Sequence, residues 1–222
     1  PRHYRFEVDE RILFNGEIKS SLKEEQVRAI GRKMHKAGIE AVAVCLINSY
    51  VNDIHEKRIK EILEEYDGLY ITISSEVLPE YKEYERTSTI VSNAYVMPKM
   101  ESYIKHLEES LDKMDIPSDL YVMQSSGGII KAKTAREVPA RTLLSGPAGG
   151  TVTGTLLTEM TPYKNLITID MGGTSLDTSL IKGGKAQYTT LSKVGGYPIK
   201  LPMVEMHTIG SGGGSLAWID AG

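Results

Sequence analysis

Two short apolar runs with a helix-patterned stretch between them constrain this chain more than any other feature. The runs are AVAVCLI at 41–47 and LYITI at 69–73. Each is bounded by turn residues and has the length of a strand buried on both faces. Between them Asp53 to Glu56 reads as a helix start, with Glu56 closing a capping box. Ile59, Ile62 and Leu63 form the buried stripe of that helix. A further helix precedes the first run. Its start is the capping-box pattern SLKE at 21–24, its face is Val27, Ile30 and Met34, and Gly38 stops it. The order helix, strand, helix, strand predicts an α/β sheet with helical crossovers.

The flanks read less regularly. Tyr4, Phe6 and Val8 alternate as in a strand already under way, and Asn15–Gly16 marks a tight turn. After residue 76 the pattern predicts turns, then a helix that Pro98 interrupts. A separate amphipathic helix is predicted over 99–114, with Met100, Tyr103, Ile104, Leu107 and Leu111 on one face and Pro117 beyond its end. A strand at 120–123 leads into Gln124-Ser-Ser-Gly-Gly, read as a strand-to-helix turn. SGPAGG at 145–150 opens a helix whose apolar face is Val152, Leu156, Leu157 and Met160. Strands at 166–171, 176–181 and 186–191 then form an antiparallel meander with glycine at each reversal. Both ends look cut, the last residues 221–222 following a Gly-rich segment and a short apolar stretch, so a fragment is expected.

Composition narrows the function classes. The net charge is −3 over 222 residues and the basic side chains are scattered, so no field draws nucleic acid or an anionic membrane. No apolar stretch reaches spanning length. The single cysteine, Cys45, sits in an apolar run, which makes it a core residue and points to a reducing compartment. A soluble, cytoplasmic protein is expected.

The sharpest chemical motif is DMGGTSLD, Asp170 to Asp177, set between two strands. Gly172 and Gly173 let the backbone turn tightly and come close to a ligand. Successive N–H groups in such a turn form a concave anion nest, and Thr174 adds a hydroxyl. Asp170 and Asp177 flank the turn and can approach one cleft, one holding Mg²⁺ through water and one orienting an attacking group. A plain glycine-turn hairpin with two surface aspartates explains the same residues, and the sequence leaves both readings open.

DMGGTSLD resembles the second phosphate loop of the actin, sugar-kinase and heat-shock-chaperone ATPase fold. More widely, the chain resembles the hydantoinase A and 5-oxoprolinase family. The resemblance rests on AVAVCLINSYVNDIHE, SSEVLPEYKEYERTSTIVSNAYVMP, YVMQSSGGI, LLSGPAGG, IDMGGTSLDTSLI and HTIGSGGGSLAWID, spread from residue 41 onward. It implies an α/β fold of ribonuclease H-like, actin-like ATPase architecture, present in part as pieces of two lobes. Residues 1–118 would be the end of the first lobe and 119–222 the start of the catalytic lobe with its phosphate-binding meander. It also implies ATP-dependent ring opening of a cyclic amide such as a hydantoin or 5-oxoproline, with ATP and Mg²⁺ as cofactors.

The site residues that follow are Asp170 and Asp177 for catalysis, Asp170 for metal, and Gly172, Gly173, Thr174, Gly212 and Gly213 for the nucleotide. A hydantoinase B-type subunit or domain is the implied partner, and a homo-oligomer is left open. Related acetone carboxylase subunits share this plan, and a non-hydrolytic actin-like ATP switch remains the alternative. The family also carries an acidic Gly-Gly-Thr loop near its N-terminus. No such loop precedes Asp170 here, which implies that this stretch alone supplies one wall of the cleft and does not turn over.

Other groupings are weaker. The small residues Ala148, Gly149, Gly150 and Gly154 favour a close helix crossing at a hinge over an anion site. The segment 124–128 also resembles the Gly-Gly floor of an adenosine pocket. The glycines at 212–214 resemble a second backbone cradle. His207 lies upstream, where it could contact substrate or metal. Arg86 pairs most simply with a carboxylate.

Overall fold

The computed structural model describes residues 2–116, 119–216 and 218–219. Pro117, Ala221 and Gly222, which entered the helix-stop and chain-end readings, lie outside the described residues, as do Ala217 and Asp220 of the last family-like stretch. In chain order the elements are β1 (Arg11–Ile12), β2 (Ile18–Ser20), α1 (Glu24–Lys36), β3 (Ala41–Val44), α2 (Ile54–Leu63), β4 (Tyr70–Ile73), α3 (Ser74–Val77) and α4 (Glu83–Lys113). There follow β5 (Tyr121–Met123), β6 (Ile129–Lys131), α5 (Ala132–Glu137), α6 (Ser145–Met160), β7 (Leu166–Met171), β8 (Leu176–Lys182) and β9 (Lys185–Ala186). The last are β10 (Tyr188–Thr189), β11 (Ser192–Val194), β12 (Tyr197–Ile199), β13 (Met203–Val204) and β14 (Met206–Ile209). The chain forms two compact units. One comprises Pro1–Leu120, Ala132–Ala140 and Lys193–Leu201, and the other Tyr121–Lys131, Arg141–Ser192 and Pro202–Gly222. The alternation expected at residues 4–8 is absent, since a 3-10 turn covers Arg2–Tyr4 and no strand follows before Arg11.

The first unit contains the predicted crossover. Strands β3 and β4 pair in parallel, Val44 beside Ile73, with α2 between them in sequence. Side chains then alternate between faces. Val44 and Ile73 join Val27, Met34, Ile59, Ile62 and Leu63 from α1 and α2 in one cluster. Ala43 and Cys45 pack instead against Val77, Ile90 and Val138. Thr72, on that second face, accepts a hydrogen bond from Asn93 of α4 at 3.1 Å. The small sheet is therefore sandwiched between the α1–α2 pair and α4.

Tertiary contacts overrule several local signals here. The capping box at 21–24 does not form. Helix α1 starts at Glu24 with Lys23 as its N-cap and no side-chain cap. Its first turn is tied instead to the preceding segment, where Gln26 exchanges two hydrogen bonds with Asp9. Glu56 does not cap α2 either. It is fully buried and accepts from the Leu46 amide, the Ser74 hydroxyl and the Ser75 amide at 2.7–2.8 Å. That capture of Leu46 ends β3 at Val44, short of the expected residue 47.

Among the described residues Arg86 has no carboxylate partner. It is fully buried and donates to the carbonyls of Leu46 and Glu80 and to Cys45 Sγ, with its guanidinium over the Tyr50 ring.

Pro98 does not interrupt the helix. Helix α4 runs through it for 31 residues. A proline inside a helix costs about 3 kcal/mol, but Ile90, Asn93, Ala94 and Met97 are buried before it and Ile104 after it. Burial on both sides outweighs one lost hydrogen bond. Ile104 is the buried centre of the stripe predicted for the second half, whereas Tyr103 is exposed. On the outer surface Arg58 bridges Glu24 and Glu61, and its hydrogen bond holds the Glu24 carboxyl below its ordinary value. Such exposed pairs add little stability. Among the described residues no helix is long and apolar enough to cross a membrane.

The second unit is built on a sheet ordered β14-β8-β7, with β9 also paired to β8. The β7–β8 hairpin matches the sequence reading closely. The β8–β9 reversal uses Gly183 and Gly184, both at positive φ, as a tight hairpin turn requires. The third strand differs from expectation. Strand β9 ends at Ala186, β10 leaves to pair with β13, and β14 lines the other part of β8.

Helix α6 is turned round relative to its expected face. Ala148, Thr151, Gly154 and Thr158 are buried, while Val152, Leu156, Leu157 and Met160 are exposed. Close approach to β7 and β8 decides this. A Cβ at Gly154 would lie 2.6 Å from Ile181 Cδ1 and 2.7 Å from Thr168 Cγ2. The small residues thus fit the helix against the sheet, where a helix crossing had been expected. The buried hydroxyls satisfy one another, with Ser179 Oγ 2.5 Å from both Thr151 Oγ1 and Thr168 Oγ1. Residues 124–128 form a hairpin turn between β5 and β6, where a strand-to-helix turn had been expected.

Candidate phosphate and metal site

Hairpin register places the two aspartates. Asp170 of β7 lies directly opposite Asp177 of β8, and Thr208 of β14 lies directly opposite Asp177 on its other side. Directly opposed residues of an antiparallel pair project to the same face. Asp170, Asp177 and Thr208 therefore form one row. It is the face on which Thr168 and Ser179 receive α6. His207, one residue away, projects to the other face, so it is not part of this row.

The two carboxylates differ in their surroundings. Asp177 is half-buried. Its Oδ1 accepts from Thr208 Oγ1 at 2.5 Å and its Oδ2 from Ser175 Oγ at 3.4 Å. Asp170 is exposed, and no hydrogen bond or ion pair reaches its side chain among the described residues. Like charges directly opposite in a sheet are destabilising. A cation between them would reverse the sign of that term, and carboxylate oxygens are the ligand type Mg²⁺ takes, but among the described residues no group of three or more His, Cys, Asp or Glu gathers to hold a metal.

Above the row the chain turns at 172–175, closed by Gly172 N donating to Ser175 O at 2.9 Å. A second glycine segment lies directly against it. Gly213 N donates to Gly172 O at 2.9 Å and Gly214 N to Gly173 O at 3.2 Å. Gly212 N donates to Ser215 Oγ at 3.0 Å. The amides of Gly213 and Gly214 thus hold the two loops together, while those of Gly172 and Gly212 each close their own turn. Among the described residues, the donors left without a partner at the tip are the amides of Gly173 and Thr174 and the Thr174 hydroxyl.

The glycines are not equivalent. Neither Gly172 nor Gly173 takes a positive φ, and a Cβ at Gly173 would meet nothing within 4 Å. A Cβ at Gly212 would lie 2.6 Å from three backbone atoms of residues 172–174. Gly212→Ala is accordingly expected to force the loops apart, at about 1–3 kcal/mol of overpacking strain. Gly213→Ala, whose Cβ would meet only Gly172 O at 3.8 Å, is expected to be tolerated. Thermal unfolding of the two variants checks the contrast.

Helix α6 points its N-terminus toward the same end. Thr158 meets the Gly184 turn, Gly154 meets Ile181, and Thr151 meets Ser179. Falling numbers in α6 thus follow falling numbers in β8, toward Asp177. Leu144, the N-cap, sits at φ 62° and provides no side-chain cap. Pro147 has no N–H, so the first-turn donors are the amides of Ser145 and Gly146. The positive end of the helix dipole faces the level of the aspartate row, which suits an anion.

Residues 86–222 match the Hydantoinase/oxoprolinase model, and residues 1–67 match the Hydantoinase/oxoprolinase N-terminal region. The chain belongs to the hydantoinase/oxoprolinase family. Within that family an uncharacterized protein of Methanocaldococcus jannaschii is 38% identical over all of this chain and 34% of its own length. Caprolactamase subunit alpha of Pseudomonas jessenii is 34% identical over 99% of the chain and 32% of its own length. The crystal structure of that ATP-dependent caprolactamase superposes with a TM-score of 0.87 at 33% identity, covering 100% of this chain and 32% of the other. A nucleotide-free acetone carboxylase structure superposes with a TM-score of 0.84 at 30% identity, covering 96% and 31%. This chain spans about a third of the length of these family members.

Sequence reasoning missed Thr208 and Ser175, which contact Asp177, and it ranked an anion site at the α6 terminus, where Ser145 and Gly146 lie, below a hinge. The register that sets Thr208 beside Asp177 joins positions 31 apart, and no local pattern encodes it.

Proposed function

We propose that the second unit carries one wall of an ATP-phosphate and magnesium site in an enzyme that uses ATP to open a cyclic amide. The observation that carries this reading is the direct opposition of Asp170 and Asp177 beneath a turn whose tip amides have no acceptor among the described residues. A paired-acid row is an unfavourable thing to leave in a sheet, and a bound cation accounts for it. Asp170, the unpartnered carboxylate, would hold Mg²⁺. Gly173 and Thr174 would donate to phosphate oxygens, and Gly212 and Gly213 would hold that turn in shape. The N-terminus of α6 would add its dipole and the amides of Ser145 and Gly146.

We place this arrangement within an actin-like ATPase architecture, of which the β7–β8–β14 sheet and α6 would be a part. Asp177 would orient the attacking group. When bound, Mg-ATP supplies the phosphoryl group that activates an amide carbonyl, and the metal neutralises the charge that develops. The chain's own contribution is to position and to stabilise charge. The opposite wall would come from a further acidic Gly-Gly-Thr loop that these residues do not contain. A hydantoinase B-type subunit or domain would supply the remaining chemistry.

Isothermal titration of the intact protein with Mg-ATP tests the site, and substrate-stimulated ATPase with its partner tests the reaction. Stimulation by lactams or hydantoins supports the amide reading. Stimulation by ketones with bicarbonate moves it to the carboxylation named for the acetone carboxylase neighbour. A folded protein that gives no heat with Mg-ATP would remove the nucleotide site altogether.

A further inference from the structure

We infer that Thr208 is a positioning residue that fixes the Asp177 carboxylate and so divides the labour between the two aspartates. The inference rests on the nucleotide-site reading above and deepens it by naming the residue that holds Asp177 in its role. Strand β14 pairs with β8 so that Thr208 and Asp177 are direct neighbours. The Thr208 hydroxyl donates to Asp177 Oδ1 at 2.5 Å, while Ser175 approaches Oδ2 from the turn at 3.4 Å. With a donor on each oxygen, the Asp177 carboxylate is held in one plane. Asp170, opposite it, has no such tether. It can rotate to meet a metal ion and follow it through the reaction. A fixed carboxylate is suited to orienting a small nucleophile, because misplacement by about 1 Å can cost a hundredfold in rate. A free one is suited to a metal whose ligands exchange.

The physics of the sheet supports the division. Opposed carboxylates repel, and each would rotate away from the other if unrestrained. Thr208 prevents this for Asp177 from the far side, since it pulls one oxygen toward β14. The strand itself does not need the hydroxyl, because valine has the same branched shape and an equal preference for strands. Thr208→Val therefore removes the donor and leaves the ladder in place.

The experiment uses the intact enzyme with its partner and compares Thr208→Val, Thr208→Ser, Asp177→Asn and the double variant Thr208→Val/Asp177→Asn. Thr208→Val is expected to lower kcat for substrate-coupled ATP hydrolysis by about 10- to 100-fold with the KM for ATP little changed. Thr208→Ser should restore most of it. In the Asp177→Asn background the valine should cost nothing further, because Thr208 acts through that carboxylate. Full activity of Thr208→Val, or an undiminished cost in the Asp177→Asn background, overturns the inference. A loss that follows the thermal midpoint and is not rescued by serine overturns it too. If Asp177→Asn itself turns over like the unmodified enzyme, the nucleotide-site reading has failed. If Asp177→Asn is impaired but Thr208→Val is not, only the positioning role has failed.

Discussion

Asp170→Asn and Asp177→Asn are each expected to lower ATP-dependent turnover by about 10³-fold while leaving the protein as stable as before, or slightly more so. The two signs come from one geometry. The carboxylates face each other across the β7–β8 pair, where like charges oppose folding by a few tenths of a kcal/mol to about 1 kcal/mol. Removing one charge relieves that repulsion. The same change removes a metal ligand or an orienting acceptor from a site that works by placing charge, where the loss of one group typically costs about 10²–10³-fold.

Magnesium supplies a further readout. A ligand that binds only the folded state raises the unfolding temperature. Mg²⁺ with nucleotide should therefore stabilise the unmodified protein and lose most of that effect in Asp170→Asn. Thermal scans with and without Mg²⁺, beside steady-state turnover, check both halves. Two variants that lose stability together with activity would mean the aspartates serve the fold.

Glu56→Ala should destabilise the first unit strongly, by about 3–5 kcal/mol, because three donors lose their acceptor at about 1–3 kcal/mol each. Glu56 and Arg86 are both fully buried, and they grip the Leu46 peptide from opposite sides. The carboxylate takes its N–H at 2.8 Å and the guanidinium donates to its carbonyl at 2.6 Å. Glu56 also holds Ser74 and the Ser75 amide at the start of α3. Cutting Glu56 to alanine leaves those donors unsatisfied in a dry interior.

Glu56→Gln should cost less, about 1–3 kcal/mol. The amide keeps one acceptor oxygen but turns a donor toward a donor at either Ser75 or Leu46. Urea unfolding of the two variants measures the order. Equal losses would show that the acceptor geometry, rather than the charge, matters little.

How far the sequence could be read follows from where each interaction is local. Val27 and Met34, and Ile59, Ile62 and Leu63, repeat at helical spacing, so their burial was legible before any fold was known. DMGGTSLD was legible for the same reason. Eight consecutive residues make a hairpin, and a period of two then sets both acids on one face. Signals that compete with distant partners were misread. Glu56 looks like a cap, but three donors from elsewhere in the chain offer it more. Pro98 looks like a break, but α4 is buried on both sides of it. Val152, Leu156, Leu157 and Met160 look like a buried face, but Gly154 and Thr151 allow a closer fit to the sheet than those side chains permit.

By itself, then, the sequence determined the βαβ crossover, the β7–β8 hairpin with its opposed acids, and the family. Each is written in residues close enough to interact through periodicity or one turn. Only the tertiary structure decided that β14 joins β8, that Thr208 holds Asp177, and that Gly212 closes on residues 172–174. Those pairs lie tens of residues apart, and their contact is selected by the packing of the whole unit, which no local spacing records.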